Sequence, residues 1–513
     1  MRGWMILMLV AASPAMAQRV SVEERSIDEL QTMMARGQAS SAAITAAYRA
    51  RIAEMDRKGP ALHAVIALNP DAAAEASASD ARRKERALLG PLDGIPLLIK
   101  DNVETRDLPT TAGSLALAGN ATGRDAPLVA RLRAGGAVIL GKTNLSEWAN
   151  IRSTRSMSGW SAVGGLVRNP YALDRSVCGS SSGSGAAVAA SFATAAIGTE
   201  TDGSVVCPSS MAGIVGLKPT IGMVSRTHIV PISHSQDTAG PMGRTVRDVA
   251  ILFSAMVGSD PADAATAPAD AHRIDYASEL SAGALNGVKL GVIRPDLSPD
   301  LAAVYNFALA QLAAAGAILV EVKPPKTDLD DAENTVLLTE LKANLDAYLA
   351  AIPAAVTTRT LDQVIAFDVT HATQEMPYFG QEQFLKAVKT RGLADPDYLA
   401  ARATSLAGAR GAIDQMLKAA GATMLVEPTY GAAWLSDPVH GDQFTGPSAS
   451  GLPAIAGYPH LTVPMGQVRG LPVGLSFVGP AWSEGTLLAA GYAFEQKAHA
   501  RAVPRYLATV KVQ

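Results

Sequence analysis

Three short segments carry residues whose types and spacing could do chemistry. Residues 178–185 read Cys-Gly-Ser-Ser-Ser-Gly-Ser-Gly and precede an alanine-rich helical run. Glycine lets the backbone turn sharply there, and the serines crowd hydroxyls at a helix N-terminus. A flexible Gly/Ser linker would share this composition, but apolar segments resume soon after it. Residues 198–204 read Gly-Thr-Glu-Thr-Asp-Gly-Ser, directly after the strand-like run 195–197. A strand, a tight turn and then a serine expose a hydroxyl with backbone N–H groups beside it, and such groups can hold an oxyanion. An ordinary turn with a capping serine is the plainer alternative. Residues 94–102, Gly-Ile-Pro-Leu-Leu-Ile-Lys-Asp-Asn, place Lys100 at the end of an apolar strand. Alone, it reads as a sheet-edge lysine snorkelling outward. Buried there, it would lose proton affinity through desolvation and could act as a base.

Other motifs fail on context. Residues 136–143 match G-x-x-x-x-G-K-T, but the middle four, Ala-Val-Ile-Leu, should form the strand itself. A phosphate-cradling loop must follow its strand, so nucleotide binding is not supported. Ser181 is central in a G-x-S-x-G match at 179–183, which would need a downstream Asp and then His; none is singled out by spacing. The eight histidines are scattered without metal-ligand spacing, and no Ser-x-x-Lys occurs.

The elements that must position these residues follow from hydrophobic periodicity. Ser26-Ile27-Asp28-Glu29 is a capping box opening a helix that Gly37 ends, and Ile44, Tyr48 and Ile52 mark one face of a second helix. Short apolar runs at 97–99, 137–140, 195–197, 288–293, 318–322, 424–426, 461–463 and 473–478 predict buried strands. Helical patterns at 126–134, 246–256 and 301–314 lie between them. This alternation predicts an α/β fold, a large mixed and mostly parallel twisted sheet covered by helices on both faces. Residues 260–270, rich in Ala, Asp and Pro, read as a surface loop.

Of the 513 residues, 48% are hydrophobic and 18% charged, below the ~25% usual for soluble chains, which implies much buried surface. The net charge of −3 is mixed along the chain, so nucleic-acid binding has no electrostatic support. Arg2, the apolar run 4–12 and Ala15-Met16-Ala17 form a signal-peptide pattern cleaved before Gln18. The expectation is a periplasmic or secreted protein, with residues 18–513 as one catalytic domain and no membrane contact after cleavage. Cys178 and Cys207 read first as small buried hydrophobes, with a bridge as the alternative.

Taken together, these motifs resemble the amidase signature family along most of the mature chain. The match adds residues 141–148 (Gly-Lys-Thr-Asn-Leu-Ser-Glu-Trp), 213–220 (Gly-Ile-Val-Gly-Leu-Lys-Pro-Thr), 235–242 (Ser-Gln-Asp-Thr-Ala-Gly-Pro-Met) and 470–475 (Gly-Leu-Pro-Val-Gly-Leu). Among members it is most similar to the bacterial peptide amidases, which remove the C-terminal amide of peptides. The resemblance implies Lys100 as base, Ser180 after a cis peptide bond as bridging hydroxyl, and Ser204 as nucleophile. It implies an oxyanion hole from the backbone N–H groups of Thr201, Asp202, Gly203 and Ser204. Three positions depart from the family pattern: Glu200 replaces Asp, Asp202 replaces Gly and Val206 replaces Arg.

The implied chemistry needs neither metal nor organic cofactor. A neutral Lys100 would draw a proton from Ser204 through Ser180, giving an acyl-enzyme that water then hydrolyses. The substrate would be a peptide or small-molecule amide, with no obligate partner subunit. Alternatives are a hydrolase of small aliphatic or aryl amides, a component of an amidotransferase complex, which the export signal opposes, and a non-catalytic amide- or peptide-binding protein. Residues 325–450 should supply the pocket wall, with Trp434, Tyr378 and Phe384 as candidate lining.

Overall fold

The computed structural model describes residues 20–510; the segment read from the sequence as a signal peptide lies outside them. The chain enters through the expected capping box. The Ser26 hydroxyl accepts from Glu29 N at 3.2 Å, and the Glu29 carboxylate accepts from Ser26 N at 2.9 Å, opening the helix Ile27–Ala35. The next helix, Ser41–Met55, buries Ile44, Tyr48 and Ile52.

Thirteen strands follow among the described residues: β1 (Val65–Leu68), β2 (Pro96–Lys100), β3 (Val138–Thr143), β4 (Trp160–Ser161), β5 (Gly165–Leu166), β6 (Ala195–Glu200), β7 (Val215–Lys218), β8 (Thr238–Gly243), β9 (Lys289–Ile293), β10 (Ile318–Val322), β11 (Met424–Pro428), β12 (His460–Val468) and β13 (Leu471–Val478). β4 and β5 pair with each other. The other eleven form one sheet in the order β1-β3-β2-β6-β8-β7-β12-β13-β11-β9-β10. The sheet is mixed, as expected, but parallel pairing does not dominate it. Only β3–β2, β2–β6, β11–β9 and β9–β10 are parallel, in two wings flanking an antiparallel centre. A strand buried on both faces is a continuous apolar run in either orientation, so composition does not distinguish them.

Helices cover both faces. Alternate residues of β12 meet different layers. Leu461 and Val463 pack against Gly491 in the helix Glu484–Ala498, while Thr462 shares a polar cluster with Thr429 and with Ser210 of the helix Val206–Met211. Strand β8, Thr-Ala-Gly-Pro-Met-Gly, has a poor strand composition yet is fully buried. A Cβ at Gly240 would collide with the Leu217 carbonyl of β7, so glycine is what lets these two strands close.

Residues 260–270 lie largely at the surface, as expected, but are more structured than a solvated loop. Two 3-10 turns form, Thr266 is fully buried, and the Asp263 carboxylate holds Arg226. An acidic residue paired with a partly buried guanidinium pins a segment whose composition alone reads as solvated. Cys178 and Cys207 correct the preferred reading: they form a disulfide, with Cα atoms 5.9 Å apart. Spacing along the chain carried no information about that distance, which the packing of two loops sets.

Candidate active site

The parallel register of β2 with β6 pairs Leu97 with Ala195 and Ile99 with Ile197, so both strands end side by side. The carboxyl ends of parallel strands are where α/β folds place their sites. Here Lys100 and Thr199 emerge together. The Lys100 amine is fully buried, 2.8 Å from Ser180 Oγ, 2.9 Å from Thr199 Oγ1 and 3.2 Å from Thr199 O. Burial lowers its pKa from 10.5 to about 7, against the pull of Asp237 and Glu200, which favour the charged form. A neutral amine has two N–H groups and one lone pair. An ammonium would donate all three contacts; in the neutral amine one of the two hydroxyls, Ser180 or Thr199, would meet the lone pair, since the Thr199 carbonyl can only accept.

Ser180 follows a cis Gly179–Ser180 peptide bond and is buried, its carbonyl accepting from Ser146 N at 3.0 Å. A side chain at Gly179 would collide with the Ser146 hydroxyl, so the sharp approach to Ser180 requires glycine. The neighbouring serines are engaged elsewhere. Ser181 Oγ donates to Thr199 O at 3.0 Å and accepts from Thr199 N at 3.1 Å, clamping the helix Ser182–Ala189 to β6. Ser184 Oγ donates to Ile197 O at 3.0 Å. The G-x-S-x-G serine is therefore a buried clamp.

Ser204 ends the turn after β6, its carbonyl accepting from Ser181 N at 3.1 Å. Its side chain opens on a cavity of about 270 Å³, which Thr201, Asp202 and Gly203 also line. Among the described residues no hydrogen bond engages the Ser204 hydroxyl. Among the described turn and loop hydrogen bonds, none is donated by the N–H groups of residues 201–204. Those four N–H groups belong to the residues that line the cavity together with the Ser204 side chain. Lys100 and Ser180 are fully buried and do not line the cavity, whereas Gly179, next to Ser180, does.

The turn is held from three sides. Glu200 is buried and accepts from Val205 N at 2.7 Å and Val206 N at 3.0 Å, with burial raising its pKa. The glutamate at the family's Asp position thus clamps the start of the next helix. Thr201 Oγ1 donates to Asp237 Oδ1 at 2.6 Å, and Asp237 Oδ2 accepts from Ile232 N and Ser233 N. Gly203 takes a φ of 75°, and a Cβ there would strike the Tyr430 hydroxyl. At the second departure, burial pushes the Asp202 carboxyl up, and burial together with the Asp202 charge raises Glu333 to about 8.

The remaining wall comes partly from residues 325–450, through Leu337, Tyr430, Asp442 and Phe444, opposite Ile151 and Ile232. The three aromatic candidates in that region are elsewhere. Phe384 is buried against Trp148, Tyr378 is exposed, and Trp434 stands behind the wall, donating Nε1–H to Asp442 at 3.0 Å and packing on Phe444. Tyr430 had a readable signal, since it lies two residues past the end of β11. Lys142, from the rejected phosphate-loop pattern, sits in β3 and pairs with Asp101 at 2.9 Å. Among the described residues no His, Lys or Arg lines the cavity, and no group of three His, Cys, Asp or Glu could hold a metal ion.

The sequence model of the amidase family matches residues 43–488. This chain belongs to the amidase family. It is an amide-hydrolysing enzyme, and its fold is shared with solved relatives. The native peptide amidase of Stenotrophomonas maltophilia is 48% identical, superposes with a TM-score of 0.91, and is matched over 94% of this chain and 99% of that one. A probable amidase of Arabidopsis thaliana is 36% identical over 97% of this chain and 94% of its own length. A putative amidase of Schizosaccharomyces pombe is 32% identical over 95% of this chain and 88% of its own length.

Proposed function

We propose that this amidase removes the C-terminal amide of peptides through an acyl-enzyme on Ser204, with Ser180 and Lys100 completing the triad. The observation that carries the reading is the buried Lys100 amine, 2.8 Å from the Ser180 hydroxyl, with its pKa lowered to about 7. A protonated amine could not accept a proton; a neutral one takes it from Ser180 as Ser180 takes one from Ser204. The freed Ser204 alkoxide attacks the amide carbon. The resulting oxyanion meets the N–H groups of Thr201, Asp202, Gly203 and Ser204, and loss of one such donor costs ~2.7–4 kcal/mol of transition-state stabilisation. Ser180 then returns the proton to the departing nitrogen. Water, deprotonated along the same route, releases the acid.

The cavity's charge supports an uncharged substrate end. Burial raises the pKa of both carboxyls that line it, Asp202 and Asp442, and no cationic side chain lines it, so a free C-terminal carboxylate finds no counter-ion where a carboxamide needs none. The similarity to a peptide amidase points the same way. The amidotransferase reading requires partner subunits inside the cell, which the N-terminal export pattern opposes. We place the enzyme in the periplasm or outside the cell, working without a partner subunit.

The test is a hydrolysis panel of peptide C-terminal amides, internal peptide bonds, simple aliphatic and aryl amides, and acyl esters. Peptide amides should give the highest kcat/KM. Preference for a simple amide of equal carbonyl reactivity would overturn the peptide assignment and favour a small-amide hydrolase. N-terminal sequencing of enzyme recovered outside the cytoplasm should begin at Gln18.

A further inference from the structure

The Cys178–Cys207 disulfide joins the loop that leads into Ser180 to the helix Val206–Met211 that follows Ser204, the two segments on which the proposed chemistry rests. Cys178 lies two residues before Ser180, and Cys207 lies three after Ser204. Both cysteines line the same cavity as Ser204. Each is also tied into its own loop. Ser182 Oγ donates to Cys178 O at 2.6 Å, and Cys207 N donates to Gly203 O at 2.8 Å. Hydrogen bonds clamp the helix after Ser180 to β6, through Ser181 with Thr199 and Ser184 with Ile197, but beyond the end of β6 the backbone tie to the Ser204 turn is Ser181 N to Ser204 O at 3.1 Å. Both loops are built on glycines, Gly179 and Gly203, which give the backbone unusual freedom. Proton relay through Ser180 needs its hydroxyl held against Ser204, and a misplacement of 1 Å can cost ~100-fold in rate.

We infer that the disulfide is a positioning device for catalysis, holding the Ser180 loop against the Ser204 loop, so that enzyme activity depends on its oxidation. This rests on the reading of Ser180 and Ser204 given above. Reduction is a balanced exchange. A dithiol entering through the cavity donates two electrons and two protons, becomes a cyclic disulfide, and leaves Cys178 and Cys207 as free thiols. The chain is then latent under reducing conditions and gains its activity where the bridge forms.

The experiment measures kcat and KM on a peptide amide for the oxidised enzyme, for enzyme reduced with dithiothreitol, and for the Cys178→Ser/Cys207→Ser double variant. Thiol alkylation and intact mass establish the redox state, and near-UV circular dichroism gives the folded fraction. Per folded molecule, kcat should fall at least tenfold in both bridgeless forms, with KM within threefold, and reoxidation of the reduced wild type should restore it. If activity is lost only in proportion to the folded fraction, or kcat per folded molecule stays within twofold, the bridge is a stability staple and the inference is overturned. A Ser204→Ala variant assayed alongside separates the two readings. Residual activity there overturns the nucleophile assignment and this inference with it. An inactive Ser204→Ala beside a fully active bridgeless enzyme overturns this inference alone.

Discussion

The acid limb of the pH–rate profile should be set by Lys100, and its position can be worked from the site. An ordinary lysine with a pKa of ~10.4 is neutral in about one molecule in 2,500 at pH 7. Full burial between β2, β6 and the Ser180 loop brings the pKa to about 7, so about half the molecules carry the neutral base at that pH. Desolvation therefore raises the competent fraction by about a thousandfold, equivalent to roughly 4–5 kcal/mol. The sign follows from the role: the depressed pKa makes the active, unprotonated form accumulate as pH rises. In the assay, kcat/KM for a peptide amide is measured from pH 5 to 10 in buffers of constant ionic strength. It should rise about tenfold per unit below pH 7, bend near 7 and flatten above, until the protein or substrate titrates. Lys100→Arg, which keeps a charge and donors but cannot surrender a proton at these pH values, should abolish the limb along with the activity. A wild-type profile flat down to pH 5, or an inflection near 10, would refute the reasoning.

Ser204→Ala should lower kcat by about 10⁴ or more while leaving the thermal unfolding curve within a degree or two, and a trapped acyl group should map to residue 204 by mass spectrometry; an adduct on Ser181 would contradict the assignment. Gly203→Ala puts a Cβ at a φ of 75° and against the Tyr430 hydroxyl, so both Tm and kcat should fall, with more than 1 kcal/mol lost in urea unfolding.

Much of the frame was legible because buried strands are continuous apolar runs. All eight runs read as strands are strands, including residues 97–99 leading to Lys100 and 195–197 leading to the Ser204 turn. Strands β7 and β8 were not legible from periodicity. Val215–Lys218 is short, and Thr238–Gly243 carries two glycines and a proline whose placement depends on close approach to a neighbouring strand. The motif order gave the three candidate side chains, yet the burial of Lys100 could not be read locally. A strand-end lysine snorkels or sinks according to what covers it, and its cover comes from residues 179–180 and 199. The disulfide and the pocket wall were opaque for the same reason. Tyr430 and Phe444 reach the cavity because of where β11 ends and how the following loop returns, whereas Phe384, equally aromatic, fills a core beside Trp148. The alternation of strand and helix implied a mixed, mostly parallel sheet; the sheet is mixed, but its centre from β6 to β11 is antiparallel, and the period of two is the same in both.

The most direct measurement is an NMR titration of the Lys100 side chain, with ¹³C at Cε, in Ser204→Ala protein so that no turnover intervenes. A single resonance moving with a midpoint near pH 7, and absent in a Lys100→Arg control, is the predicted result. A midpoint above 9 would mean that the amine is charged at working pH, and the base proposed for this enzyme would have to be sought elsewhere.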